Sequence, residues 1–145
     1  MTRRPVVAIL FRMPLGRTSL RRLHEAHPDL VELIRAVEVG VDEGDLAYAG
    51  VHDITVLCGR RNRADQTAAV AAGTSKTPWP RSAHNCPDDD AECLVRAVDV
   101  APYPVVWADV RKFEALHAYI AGVAHARGIR LRNISWDRPH IELAR

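Results

Sequence analysis

A carboxylate interrupts an apolar segment of this 145-residue chain. Residues 97–101 read Ala-Val-Asp-Val-Ala and are followed by Pro102, a pattern that predicts a short buried strand with Asp99 between two valines. Burying an ionised carboxylate costs free energy unless a cation or hydrogen-bond donors replace the lost water. The fold therefore has to bring a partner such as a metal ion to Asp99.

Two histidines and a second carboxylate complete the inventory of a catalytic zinc site. These are His84, His140 and, three residues before it, Asp137. Zinc in enzymes commonly takes three nitrogen or oxygen ligands and keeps a fourth position for water, whose pKa falls to about 7. A carboxylate outside the ligand shell can take the water proton, and Asp137 is the candidate. Pro139 favours a turn before His140, and a turn could bring both side chains to one cavity.

Several motifs occur in an order that is similar to one enzyme family. They are Leu15-Gly16-Arg17-Thr18-Ser19-Leu20, His27-Pro28-Asp29-Leu30-Val31, residues 58–66 (Cys-Gly-Arg-Arg-Asn-Arg-Ala-Asp-Gln), Ser82-x-His84 with residues 97–102, and the closing Asp137-x-Pro139-His140-x-Glu142-Leu143. Together they resemble the zinc murein peptidases, which include phage L-alanyl-D-glutamate endolysins and D-alanyl-D-alanine carboxypeptidases. The resemblance covers about residues 15–143.

The resemblance implies a zinc metallopeptidase that hydrolyses peptidoglycan stem peptides, in the first place an endolysin that cleaves the L-alanyl-D-glutamate bond. It assigns the zinc ligands to His84, Asp99 and His140, proton transfer to Asp137, oxyanion stabilisation to Arg61, and substrate binding to Gln66 and Ser82. Glu142 lies on the same alternating strand face as His140 and is expected beside the ligands or at the surface rather than on the metal.

Two other functions stay open. One is a D-alanyl-D-alanine carboxypeptidase, for which an export signal or anchor would be expected. The other is a non-catalytic zinc-containing module that binds a wall fragment, although such a module would need neither Asp137 nor Arg61.

The clearest departure from the family pattern is an insert between the first histidine and the aspartate. Fourteen residues, 85–98, stand where relatives usually have six, and they carry Cys86 and Cys93. We expect a solvated acidic loop with free thiols. A disulfide between the two cysteines is an alternative in an oxidising periplasm, and a calcium site at Asp88, Asp89 and Asp90 is another.

The remaining patterns predict an α+β fold with a single peptidase domain over residues 1–145. Helical periodicity covers residues 20–39, broken at Pro28 and ended at Gly40, and residues 109–127. A third helix should begin at the N-cap Asn62 and run through Val70. Strands are expected at residues 53–58, 97–101, 129–131 and 140–143. The result would be a small antiparallel sheet with helices on one side and the zinc cleft on the other.

Composition narrows the partners only slightly. The chain is 48% hydrophobic and 26% charged, with a formal net charge of +2, a balance that neither demands nor excludes an anionic partner. We expect a monomer with no nucleic-acid partner and no stable membrane insertion.

Residues 1–15 are read as a short strand or loose arm rather than a leader, which predicts storage in the host cytoplasm before release to the wall. Cys58 is expected to be buried in its strand, and Trp136 either to wall the cleft or to join the core.

Overall fold

The computed structural model describes residues 15–133 and 137–145. Its elements are α1 (Arg17–His24), α2 (Pro28–Asp42), a 3₁₀ turn (Ala47–Ala49), β1 (Ile54–Cys58), α3 (Arg63–Ala71), β2 (Ala97–Pro102), α4 (Val110–Ala126) and β3 (His140–Glu142). None of the helices in this part of the chain combines the length and apolar character that crossing a membrane requires. The expectations for the N-terminal arm and for Trp136 fall outside the described residues.

The three strands form one antiparallel sheet in the order β1-β2-β3, with β2 in the centre. Val100 of β2 pairs with Val56 of β1, and Val98 pairs with Ile141 of β3. All four side chains are buried. Because alternate residues of a strand point to opposite faces, these pairs mark the core face of the sheet and leave the residues between them on the other face.

The helices cover the core face, as the α+β prediction required. Helix α2 begins with Pro28 at its first position, which suits a residue that has no N–H to donate, and His27 caps it by accepting a bond from the Asp29 amide. Helix α4 buries the predicted apolar stripe of Phe113, Leu116 and Ile120. Helices α2 and α4 pack against each other, while α1 contacts β1 and α4 contacts β2.

Two expected boundaries differ from the structure. Helix α2 continues through Gly40 to Asp42, because the missing side chain of Gly40 makes room for the Tyr119 hydroxyl rather than ending the helix. Residues 129–131 do not form a strand. Within this segment only Leu131 makes a bridge, to Leu143 near the chain end, and a single bridge is too short to be a strand.

A bulge in β1 decides which side chains reach the cleft face. Val56 pairs with Val100 but Cys58 pairs with Asp99, so Leu57 is an extra residue on β1. In an unbroken strand Cys58 would share the core face with Val56. The bulge turns Cys58 to the face of Asp99, and the prediction that it is buried in the strand is wrong because its half-buried sulfur lines the cleft.

Gly59 lies where the loop after β1 touches α1. A β-carbon at this position would collide with the backbone carbonyl of Arg22. The close approach matters for the cleft because the Gly59 carbonyl oxygen lies 2.7 Å from Nδ1 of His84. A side chain at Gly59 would therefore disturb both the packing of α1 and the support of a candidate metal ligand.

We predict that Gly59→Ala lowers the free energy of unfolding by about 1–3 kcal/mol, because backbone atoms cannot move aside as a side-chain tip can. Urea denaturation measures the change. Gly122→Ala in α4 is the matched control: nothing lies within 4 Å of its added β-carbon. This control should gain about 0.5–1 kcal/mol from better helix propensity. Equal stability of Gly59→Ala and the wild type would contradict the close approach.

The insert after His84 is closed by a disulfide between Cys86 and Cys93. The expectation of free thiols is wrong in the structure, since a turn bonded from the Asp90 amide to the Pro87 carbonyl reverses the chain between them. Asp88 accepts a bond from the Arg63 amide, and Asp90 accepts bonds from the amides of residues 92 and 93. The calcium site at residues 88–90 stays a prediction.

We predict that Cys93→Ser lowers the free energy of unfolding by about 2 kcal/mol, because a short covalent loop no longer restricts the unfolded chain. The measurement is urea denaturation with and without a thiol reductant. The wild type should fall to the level of the variant when reduced, while the variant should not respond. Since both proteins keep Cys58, a reductant effect common to both would report on that thiol and not on the disulfide.

Candidate metal centre

Three candidate ligand atoms form a nearly equilateral triangle on the cleft face of the sheet. Asp99 Oδ1 lies 3.1 Å from His84 Nε2 and 3.2 Å from His140 Nδ1, and the two nitrogens are 3.2 Å apart. A tetrahedral zinc site with bonds of about 2.0 Å to nitrogen and oxygen has ligand atoms separated by about 3.3 Å. The spacing of the three atoms therefore fits one small tetrahedral cation.

The ring nitrogens outside the triangle, His84 Nδ1 and His140 Nε2, already have hydrogen-bond partners. These partners decide the tautomer of each ring and so whether the inner nitrogens, His84 Nε2 and His140 Nδ1, carry a lone pair or a proton. His84 Nδ1 is 2.7 Å from the Gly59 carbonyl oxygen, which can only accept, so this nitrogen carries the proton. His140 Nε2 is 2.9 Å from a carboxylate oxygen of Glu142. In the neutral rings the inner nitrogens then present lone pairs to each other and to Asp99. Lone pairs that converge in this way need a cation or a proton between them.

The pKa values of the cluster show the same demand for positive charge. Burial opposes ionisation of His84, but the hydrogen bonds and charges of Asp99 and Cys58 together outweigh burial and raise the pKa of His84 to about 10. The pKa of His140 is also raised, against burial, by its bonds to Asp99 and Glu142. Burial likewise opposes ionisation of Asp99, but the two histidines hold the pKa of Asp99 well below its usual range. The pKa shifts of all three groups therefore favour positive charge at the centre of the cluster.

His84 does not lie on a strand. The segment is a turn in which Ser82 Oγ accepts a bond from the His84 amide at 3.2 Å, and the His84 carbonyl accepts one from the Arg61 amide at 2.8 Å. Ser82 thus supports the backbone of a candidate ligand and also lines the cleft. Its role toward a substrate stays a prediction.

Asp137 reaches the cluster by the expected turn. The His140 amide donates to the Asp137 carbonyl, and Asp137 Oδ2 lies 4.0 Å from His140 Nδ1. The carboxylate is half-buried, and burial together with the negative charge of Asp99 raises the pKa of Asp137. This carboxylate is close to the three candidate ligand atoms without belonging to their triangle.

The Arg61 guanidinium lies beside the cluster and is hydrogen-bonded to Gln66. Its Nη1 donates to Gln66 Oε1 at 3.0 Å, and its Nη2 lies 3.8 Å from Asp99 Oδ2. Gln66 is fully buried and donates to Ser75 and Thr77. Because no part of Gln66 faces the cleft, the expected direct contact with substrate does not agree with the structure. We interpret Gln66 as the residue that positions the Arg61 guanidinium.

Cys58 is a cleft residue that sequence reasoning missed. Its sulfur, a nitrogen of His84 and a carboxylate oxygen of Asp99 all lie within 4.8 Å of one another, a grouping that can also hold a metal ion. The same sulfur accepts a bond from Arg61 Nη2 at 3.6 Å. Strand alternation gave no signal for this position, because the bulge at Leu57 is not legible from residue types.

The comparisons with known proteins point to one enzyme family. A family model described as phage L-alanyl-D-glutamate peptidase matches residues 10–142. The chain belongs to this family. The crystal structure of the Serratia marcescens L-Ala D-Glu endopeptidase ChiX is similar, with a TM-score of 0.61 and 27% identity over 90% of each chain. No curated protein sequence matches the chain at a significant level.

Family membership confirms the enzyme class expected from the motifs, a peptidoglycan-cleaving metallopeptidase with an α+β fold. The family also makes peptidoglycan the implied substrate of this chain. A cluster that can hold a metal ion is present at the cleft.

The cleft of this L-alanyl-D-glutamate peptidase is a cavity of about 1330 Å³. The candidate ligands and Asp137 lie along its wall, together with Arg61, Arg81 and Arg132. Such a volume exceeds the usual range of small-ligand pockets, about 300–1,000 Å³. The cavity therefore has room for more of the peptidoglycan than the two residues joined by a scissile bond.

Glu142 connects His140 to the cleft rim. One carboxylate oxygen contacts His140 Nε2 at 2.9 Å, and the other lies 3.3 Å from Arg132 Nη1. A carboxylate in this place holds the imidazole in one tautomer and orientation, leaving Nδ1 free to bind a metal. The structure places Glu142 outside the triangle of candidate ligands, where the sequence also expected it.

We predict that Glu142→Ala weakens zinc binding by about ten- to a hundredfold, because the His140 ring loses its orienting acceptor. Glu142→Gln should keep most of the affinity, since its amide oxygen can still accept from Nε2. Competition with a chromophoric chelator measures the dissociation constants. Glu32→Ala, which removes a carboxylate paired with Arg127 on an exposed surface, is the control. Undiminished affinity in Glu142→Ala would show that His140 needs no such support.

Proposed function

We propose that this enzyme hydrolyses the L-alanyl-D-glutamate bond of peptidoglycan stem peptides and that His84, Asp99 and His140 hold a zinc ion in its cleft. The observation that carries the proposal is the triangle of ligand atoms with edges of 3.1–3.2 Å, which fits a tetrahedral cation. The family match and the likeness to the Serratia endopeptidase support this bond as the one cut.

A zinc ion bound in such a site supplies Lewis acidity, which lowers the pKa of water and polarises a carbonyl. The protein has to supply the proton transfers. Asp137 is suited to them because its carboxylate lies beside the triangle, 4.0 Å from His140 Nδ1, and opens to the cavity. We assign Asp137 to take a proton from the attacking water and return it to the departing amine of D-glutamate.

Arg61 is suited to stabilise the oxyanion that develops on the scissile carbonyl. Its guanidinium lines the cavity and is held by Gln66, so little reorganisation is needed when negative charge appears. The side chain of Asn85 reinforces this arrangement, because its Nδ2 donates both to the Arg61 carbonyl and to Gln66 Oε1. Gln66 and Asn85 therefore act on catalysis through the position of Arg61.

The alternatives are less well supported. Both comparisons name an L-alanyl-D-glutamate peptidase, and neither favours a D-alanyl-D-alanine carboxypeptidase. A module that only binds wall fragments would have no need of a carboxylate and a guanidinium arranged around the candidate metal position. We further propose that the enzyme is stored in the host cytoplasm and acts on the wall after release, in keeping with the phage family.

Mass spectrometry of purified muropeptides after incubation with the protein tests the reaction. We predict release of stem peptides that begin at D-glutamate, abolition of this release by a chelator, and its recovery when zinc is added back. Loss of a terminal D-alanine alone would instead indicate the carboxypeptidase.

The same assay tests Asp137. Asp137→Asn should lower kcat by at least about a hundredfold, because proton transfer by a positioned carboxylate contributes a factor of this order, while zinc affinity stays close to that of the wild type. Asp29→Asn removes an exposed carboxylate that does not line the cavity and should keep full activity. Full activity of Asp137→Asn would remove this residue from the mechanism.

A further inference from the structure

Trp107 is an exposed aromatic residue at the rim of the cleft. It follows β2 on the loop that leads to α4, and 58% of its surface is accessible. The indole lines the same cavity as His84 and Asp99. Among the described residues that line this cavity, Trp107 is the one Trp, Tyr or Phe side chain. Tyr103 and Val106 on the same loop are exposed as well.

The indole is held from one side only. It stacks on Phe113, with ring centroids 5.4 Å apart and planes 14° from parallel, and Phe113 itself is buried in the core. One face of Trp107 is therefore anchored on α4 while much of the side chain stays open to solvent. An aromatic ring that is fixed before a ligand arrives loses little conformational entropy on binding.

The chemistry of the substrate indicates what an aromatic surface in this cleft could meet. In peptidoglycan the L-alanine of the stem is joined through an amide to the lactyl group of N-acetylmuramic acid. One residue spans about 3.5 Å, so cleavage after this alanine places the sugar within roughly 10 Å of the reacting carbonyl. An enzyme that cuts this bond in the intact wall must accommodate the sugar beside its catalytic centre.

We propose that Trp107 is a sugar-binding platform that contacts the N-acetylmuramoyl ring on the amino-terminal side of the scissile bond. The apolar C–H face of a pyranose can pack on the electron-rich face of an indole, which combines a large apolar area with a fixed geometry. The cavity of about 1330 Å³ has room for the sugar. This inference rests on the proposed cleavage of the L-alanyl-D-glutamate bond.

Paired substrates test the platform. One is the free stem tetrapeptide that begins with L-alanine, and the other is the same peptide carrying N-acetylmuramic acid. We predict that Trp107→Ala raises KM for the muramoyl peptide by about tenfold, the loss typical of an aromatic contact residue, with kcat nearly unchanged. Hydrolysis of the free peptide should change by less than about twofold. Trp107→Phe, which keeps a ring, should retain part of the preference.

Tyr48→Ala is the matched control, because Tyr48 is 83% exposed and does not line the cavity. It should leave both substrates unaffected. An equal loss on both substrates in Trp107→Ala would overturn the platform, because the residue would then only shape the cleft. Unchanged kinetics on both substrates would overturn it as well.

A binding measurement separates this proposal from the proposed function. Calorimetric titration with N-acetylmuramoyl-L-alanine, which lacks the scissile bond, should show about tenfold weaker binding to Trp107→Ala than to the wild type. If neither substrate is hydrolysed by the wild type but this difference is found, the platform stands and the proposed cleavage fails. Equal binding to the two proteins overturns the platform whatever the hydrolysis assay shows.

Discussion

The register of the three strands is the constraint on which the cleft depends. Asp99 in the central strand pairs with Cys58 on one side and with His140 on the other, so all three side chains share one face of the sheet. The valines on either side of Asp99 are buried in the core. A slip of one residue in β3 would move His140 to the core face and separate it from Asp99. The position of Asp99 beside His140 therefore depends on the hydrophobic packing that sets the register.

The electrostatics of the three candidate ligands are a second constraint on the cleft. Lone pairs of His84 Nε2, His140 Nδ1 and an Asp99 oxygen converge within 3.2 Å, an arrangement that is unfavourable without positive charge between them. The outer nitrogens of the two rings are satisfied differently, one by the neutral Gly59 carbonyl and one by the Glu142 carboxylate. Each partner fixes a tautomer, so the two inner nitrogens face the candidate cation position with their lone pairs.

Sequence reasoning succeeded where a pattern repeats and failed where one residue changes the pattern. The stripe of α4 and the apolar frame of Asp99 predicted a helix and a strand that the structure contains. The direction of Cys58 could not be predicted, because a single extra residue at Leu57 reverses the face. The burial of Gln66 was equally hidden, since the residues it contacts, Ser75 and Thr77, come from a loop with no periodicity. Motif order located the candidate ligands, but only the tertiary contacts assign their supporting residues.

The long insert after His84 leaves the cluster intact because the chain is anchored at both of its ends. Before the insert, His84 is fixed by the Gly59 carbonyl and the Arg61 amide. Near its end, the Arg96 amide donates to the Ala83 carbonyl at 2.9 Å, which returns the chain to its starting point just before β2. A loop whose ends are already joined adds little closure entropy as it lengthens, and the disulfide shortens its free part further. The length of the insert therefore does not by itself displace His84 or Asp99.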